Sequence, residues 1–120
     1  MKVLLVEDNP VNRQVTLRAL SELGYQVDVV VNGGESLRAA AATEYDAILM
    51  DCRMPEMDGF AATMKIRQQE GGLCHTPIIA LTSHDSAEHR ERCFEAGMDD
   101  FLTRPIDLDR LRKTLEAWVG

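Results

Sequence analysis

Apolar residues in this chain come in short unbroken runs separated by amphipathic stretches, and the two patterns alternate five times. The runs are "KVLLV" (Lys2 to Val6), "QVDVVV", "DAILM", "PIIALT" (Pro77 to Thr82) and "DFLT". Each is too short for a helix and bounded by turn or capping residues, which predicts five strands. Asn9-Pro10 opens the first intervening helix, with Asn as N-cap and Pro at the first helical position. Val11, Val15, Ala19 and Leu23 are its expected buried stripe, and Gly24 ends it. Asn32-Gly33 predicts a turn into a short alanine-rich helix around Leu37 to Ala42. A third helix is expected roughly from Gly59 to Gln69, closed by Gly71-Gly72. "SAEHRERCFEAG" reads as a charged helix ending at Gly97. Asp107 caps a final helix in which Leu108, Leu111, Leu115 and Trp118 recur at helical spacing.

Alternating β and α elements with apolar strands predict a parallel sheet covered on both faces by helices. The first, third and fourth strands are almost wholly apolar and belong in the centre. The second carries Asp28 and the fifth is very short, so both suit edges. Right-handed crossovers then give the order 2-1-3-4-5, which reverses direction between strands one and three. Ligands of such sheets bind there, at the carboxyl ends of the strands.

Composition narrows the partners. A net charge of −7 on 120 residues argues against nucleic acid or direct contact with an anionic membrane. Cys52, Cys74 and Cys93 cannot all pair, and without a signal peptide or long apolar run the cytoplasm is the expected compartment. His89 and Cys93, four apart on the charged helix, could place two metal ligands on one face. Two ligands alone make a weak zinc site. The preferred reading is an exposed histidine beside a core-edge cysteine.

The chemistry gathers at the carboxyl edge. The first strand ends in Glu7-Asp8, the third in Asp51, the fourth in Thr82-Ser83 and the fifth in Thr103-Arg104-Pro105. Three clustered acids raise their own pKa values unless something positive sits among them, and Mg²⁺ is the simple solution. Thr82 and Arg104 face the same crevice and suit phosphoryl oxygens. A carboxylate nucleophile, a metal, a hydroxyl and a cation are the parts for phosphoryl transfer to aspartate. Taken singly, each residue has an ordinary reading: acids at strand ends are common, and Thr82 could cap a loop.

"LLVEDN", "ILMDCRMPEMDG", "IIALTS" and "DDFLTRP", in this order, resemble the receiver domain of two-component response regulators. The resemblance spans the whole chain as one domain. "VEDNPVNR" and "MDCRMPEMDGF" are most similar to receivers attached to hybrid sensor histidine kinases. It implies a flavodoxin-like (βα)₅ fold taking phosphate from a phosphohistidine of a histidine kinase or histidine phosphotransfer domain, and switching without a substrate of its own. By position, Asp51 resembles the phosphoacceptor, Asp8 with Glu7 the Mg²⁺-binding acids, and Arg53 the residue whose backbone carbonyl completes the metal site. Thr82 matches the switch hydroxyl and Phe101 the switch aromatic, although Phe101 reads equally as a core residue. Pro105 matches the proline of a cis peptide. The family has lysine where this chain has Arg104, a broader bidentate cation. Arg53 and His84 stand two residues beyond Asp51 and Thr82, where members vary; loop-surface residues are the plain alternative.

The resemblance also implies an output surface on the fourth helix, fifth strand and fifth helix. The many charges of that fourth helix (Glu88, Arg90, Glu91, Arg92 and Glu95) otherwise read as a solvated face. Three rival functions stand beside the main one. An aspartate-nucleophile Mg²⁺ phosphatase wants a second acid where Arg53 stands. An FMN carrier wants a phosphate loop free of acids, unlike "VEDNPVN". A receiver that binds partners without phosphorylation is favoured only by Arg104. The chain stops at Gly120, directly after the fifth helix, so the domain either stands alone or has been cut from a larger kinase or output protein.

Overall fold

The computed structural model describes residues 1–54, 57–83 and 86–119. His84, and Pro55-Glu56 of the quoted loop, lie outside them. The strands are β1 (Lys2–Val6), β2 (Gln26–Val30), β3 (Ala47–Asp51), β4 (Ile78–Thr82) and β5 (Asp100–Thr103). The helices are α1 (Pro10–Glu22), α2 (Gly33–Ala42), α3 (Gly59–Glu70), α4 (Ala87–Ala96) and α5 (Leu108–Val119). The sheet runs β2-β1-β3-β4-β5 with every pair parallel, as the strand pattern predicts.

Side chains alternate across the strands and divide the core into two layers. Leu4, Val6, Ile48, Met50, Ile78 and Ala80 join Phe60, Ala62 and Ile66 of α3 and Cys93 of α4 in one layer. Val3, Leu5, Leu49, Ile79 and Leu81 meet Leu20 of α1 and Leu111 and Leu115 of α5 in the other. Every residue of β3 and β4 is buried, which is what central parallel strands require.

Three local expectations need correction. Val11 and Val15 are 71% and 54% exposed, and α1 buries Thr16 and Leu20 instead. A strict four-residue step drifts about 40° per step around a helix of 3.6 residues per turn. The stripe therefore leaves the sheet, and only its later members, Ala19 and Leu23, pack on the core. Asn32 caps α2 directly, accepting from the Glu35 N–H, so that helix starts at Gly33 rather than near Leu37. In α5 only Leu111 and Leu115 are buried; Leu108 is exposed, and Trp118 lies over the sheet edge, donating its indole N–H to Asp100 at 2.9 Å.

Far from the carboxyl edge, Arg67 of α3 fastens several elements at once. Its Nε donates to the Gly97 carbonyl at 2.9 Å and its Nη1 to the Thr76 carbonyl at 2.8 Å. The same guanidinium pairs with Glu70 and Asp99, both at 2.8 Å. Asp99 in turn accepts from the first N–H of β4. Gly97 ends α4 at φ 107°, and a Cβ there would press on Arg67 Cγ at 3.0 Å. Removing the guanidinium takes a partner from two half-buried carboxylates and two carbonyls. Arg67→Ala should lower unfolding stability by about 3 kcal/mol, read from urea denaturation.

Candidate functional site

β1 and β3 lie side by side where the sheet reverses its order, and the chain leaves their ends toward opposite faces, to α1 and to α3. Val6 is in register with Met50, which sets Glu7 beside Asp51 as the strands run out. Asp51 pairs with Leu81 and Thr82 with Thr103, so Thr82 and Arg104 follow on the other side. The Arg104 N–H donates to the Thr82 carbonyl at 2.7 Å, extending that pairing by one residue. Asn9 caps α1 through its side chain and also turns its own N–H toward Glu7 at 3.3 Å.

The site is a cleft of about 470 Å³ walled by Asp8, Asn12, Asp51, Arg53, Thr82 and Arg104. One carboxylate oxygen from each of Glu7, Asp8 and Asp51 lies within 4.8 Å of the others. Arg104 reaches into this cluster, pairing with Glu7 through Nη2 and with Asp51 through Nη1 at 3.4 Å. Its Nε is buried with no hydrogen-bond acceptor among the described residues, so one donor is unspent. The Arg53 N–H donates to Asp51 at 3.1 Å while the Arg53 side chain is exposed.

Burial and its neighbours set the charge of the acids. Glu7 is fully buried; desolvation, helped by Asp51, pushes its carboxyl from the ordinary 4.5 up to about 7 against the pull of Arg104. Asp8 is raised for the same two reasons, burial first. One guanidinium therefore does not compensate three acids. Three hard oxygens this close, short of positive charge and open to a cleft, fit Mg²⁺.

Thr82 is buried, and its Oγ1 lies 2.7 Å from His89 Nε2 of α4. Phe101 does not line the cleft. It sits half-buried on β5 against the core, with the Arg90 guanidinium 4.7 Å from its ring centre. Arg92 lies 4.3 Å from the Phe60 ring centre in the same way, so two of α4's charges cover aromatic faces as well as meeting solvent. The Arg104–Pro105 peptide is cis.

Two contacts escape sequence reasoning. His89, read as exposed, is half-buried against Thr82, and Cys93, read as core-edge, is fully buried. The i, i+4 spacing of this pair was their only signal. Gly59 opens α3 against the backbone of Asp51: a Cβ there would fall 2.3 Å from the Asp51 carbonyl oxygen.

The response regulator receiver domain family matches residues 3–116. This chain belongs to that family. As a receiver it is 44% identical over 117 residues to the hybrid signal transduction protein dokA of Dictyostelium discoideum, with 98% of this chain covered. It spans only 7% of that protein's length. It superposes on the receiver domain of sensor histidine kinase PA1611 from Pseudomonas aeruginosa PAO1 with TM-score 0.91 and 48% identity. That match covers 99% of this chain and 97% of the other, and the PA1611 structure holds a magnesium ion in its active site cleft. It also matches, at TM-score 0.89 and 28% identity over 98% and 88% of the two chains, a co-crystal structure from Saccharomyces cerevisiae. That complex joins the histidine phosphotransfer signaling protein Ypd1 to the receiver domain of its downstream response regulator Ssk1. The likeness to receivers of hybrid kinases is thus borne out, as is the fold.

The pKa directions carry a sign. Between 4.5 and about 7 the folded, metal-free receiver holds more protons on Glu7 than the unfolded chain does. Its stability should therefore fall as pH rises through that window, with Asp8 adding in the same direction. Urea denaturation at stepped pH in chelator measures the slope. Glu7→Gln should flatten most of it, and Mg²⁺ should restore stability at the upper end.

Proposed function

We propose that this receiver accepts a phosphoryl group on Asp51 from the phosphohistidine of a histidine kinase or histidine phosphotransfer domain. The observation that carries the reading is the Asp51 carboxylate at the cleft wall, with two further acids and an arginine converging on it. An Asp51 oxygen forms the new bond to phosphorus while the phosphorus–nitrogen bond breaks and the imidazole leaves with its electron pair. Glu7, Asp8 and Asp51 hold Mg²⁺, with the Arg53 backbone carbonyl as a further ligand. The bound ion offsets the charge of the acids and of the group in transfer. Arg104 donates to the phosphoryl oxygens, for which its unspent Nε is suited. Thr82 turns its hydroxyl toward the same oxygens and gives up His89.

The switch follows from those contacts. Thr82 leaves His89, α4 loosens, and Phe101 repacks between the core and Arg90. Output is read on α4, β5 and α5. The donor meets the opposite rim, where the exposed Val11 and Val15 extend from the cleft along α1. The parent protein is a hybrid histidine kinase, an assignment that dokA and PA1611 support by likeness, and this domain is its cytoplasmic part. No helix among the described residues is long and apolar enough to cross a membrane.

Acetyl phosphate or phosphoramidate with Mg²⁺ should add one phosphoryl mass to the wild type and none to Asp51→Asn. Equal modification of both proteins sinks the assignment.

Arg104 is tested by a series. Arg104→Ala should slow phosphoryl acceptance by at least roughly tenfold, as loss of a charged donor to the transferring group does. Arg104→Lys should recover most of that rate. Wild-type acceptance and wild-type NMR shifts in Arg104→Ala would reduce the arginine to a counter-charge for Glu7.

A further inference from the structure

On the α4 side of the acceptor cleft lies a second group of ligand-bearing side chains that phosphoryl chemistry does not use. Cys52 follows Asp51 directly, Cys93 lies on α4, and His89 stands one helical turn before it. One ligand atom from each lies within 4.8 Å of the others. We propose that Cys52, His89 and Cys93 form a binding site for a borderline-to-soft metal ion of the zinc class, separate from the acid cluster.

Donor chemistry separates the two sites. The acids offer hard oxygens suited to Mg²⁺, whereas two sulfurs and an imidazole select zinc-like ions. With Zn–S near 2.3 Å and Zn–N near 2.0 Å, tetrahedral ligand atoms stand roughly 3.5 to 3.8 Å apart. The three ligand atoms, all within 4.8 Å of one another, stand at most about 1.3 Å beyond that spacing. Three protein ligands leave a fourth position for water or an outside ligand, as in open zinc sites.

The surroundings supply a second shell and a way in. A metal-bound imidazole hands its other nitrogen to a hydrogen-bond partner, and Thr82 Oγ1 is already 2.7 Å from His89 Nε2. Phe60 meets the imidazole edge-on at 5.7 Å and limits its tilt. Cys52 and His89 both line a second surface pocket beside the acceptor cleft, along with Arg53, Met54 and Asp58, so an ion has a path from solvent. Cys93 closes the site from behind, fully buried.

Two plainer readings fit less well. Buried cysteines often act as small hydrophobes, but that does not explain an imidazole completing the triangle. A disulfide switch would use Cys52 and Cys93 alone and leaves His89, whose ring nitrogen stands within the same 4.8 Å, without a part. An ion here would tie α4 to the residue next to Asp51.

The test uses the intact chain in a Cys74→Ser background, since Cys74 is exposed, with a phosphine reductant and excess Mg²⁺ to occupy the acids. Co²⁺ titration should produce a near-ultraviolet thiolate charge-transfer band and tetrahedral visible bands at one ion per chain. One equivalent of Zn²⁺ should bleach them. Cys93→Ala and Cys52→Ala should each abolish the charge-transfer signal or shift it to a weaker one-sulfur spectrum. His89 is half-buried and tolerates exchange better, so His89→Gln guards against misfolding of the cysteine variants. It should weaken Zn²⁺ binding at least about tenfold against a chromophoric chelator. No thiolate band in the folded wild type overturns the proposal. So does a full band in both cysteine variants, or unchanged Zn²⁺ affinity in His89→Gln.

Discussion

A parallel sheet buried on both faces meets water only at the ends of its strands, and this constraint organises the whole receiver. β3 and β4 are buried along their length and reach the cleft only at their last residues, Asp51 and Thr82. Polar chemistry must therefore gather at one rim or the other. At the amino-terminal rim the polar groups are spent on each other, with Arg67, Glu70 and Asp99 closing around the start of β4. At the carboxyl rim they are left unbalanced. One rim holds the molecule together and the other can react.

The imbalance is a matter of counting charges in a poor solvent. Burying a carboxylate beside two others is unfavourable, and one guanidinium shared between Glu7 and Asp51 compensates only part of it. Burial first, and the neighbouring Asp51 after it, push the Glu7 carboxyl up to about 7 in spite of the arginine. A site in that condition attracts cations without being filled by the protein itself. The arginine here is shared, countering Glu7 through one end of its guanidinium and Asp51 through the other.

Much of this was legible in the sequence because the strands are short, apolar and sharply ended. Strand order followed from Asp28 in the second run, the shortness of the fifth and right-handed crossovers, and Glu7, Asp8, Asp51, Thr82 and Arg104 stand at or just beyond the ends of the runs. What failed were statements about which way a helix faces. Val11 and Val15 fit a four-residue rhythm but lie where α1 has already rotated off the sheet. Leu108 and Trp118 belong to a stripe of which only the middle is covered. His89 and Cys52 come from distant parts of the chain, and their meeting depends on how α4 docks, which no local pattern encodes. The absence of a side chain at Gly59 is quieter still, since nothing near it in the sequence says what backbone it must touch.

That missing side chain has a mechanical consequence. With 2.3 Å between the place a methyl would occupy and the Asp51 carbonyl, the start of α3 and the end of β3 are seated flush, like two blocks without a shim. The Gly59 N–H bonds the Cys52 carbonyl at 3.2 Å and pins the seat from the other side. Displacement of either piece is carried to the other with little slack. The backbone of Asp51 thus has a fixed bearing against the start of α3, from which neither can shift alone.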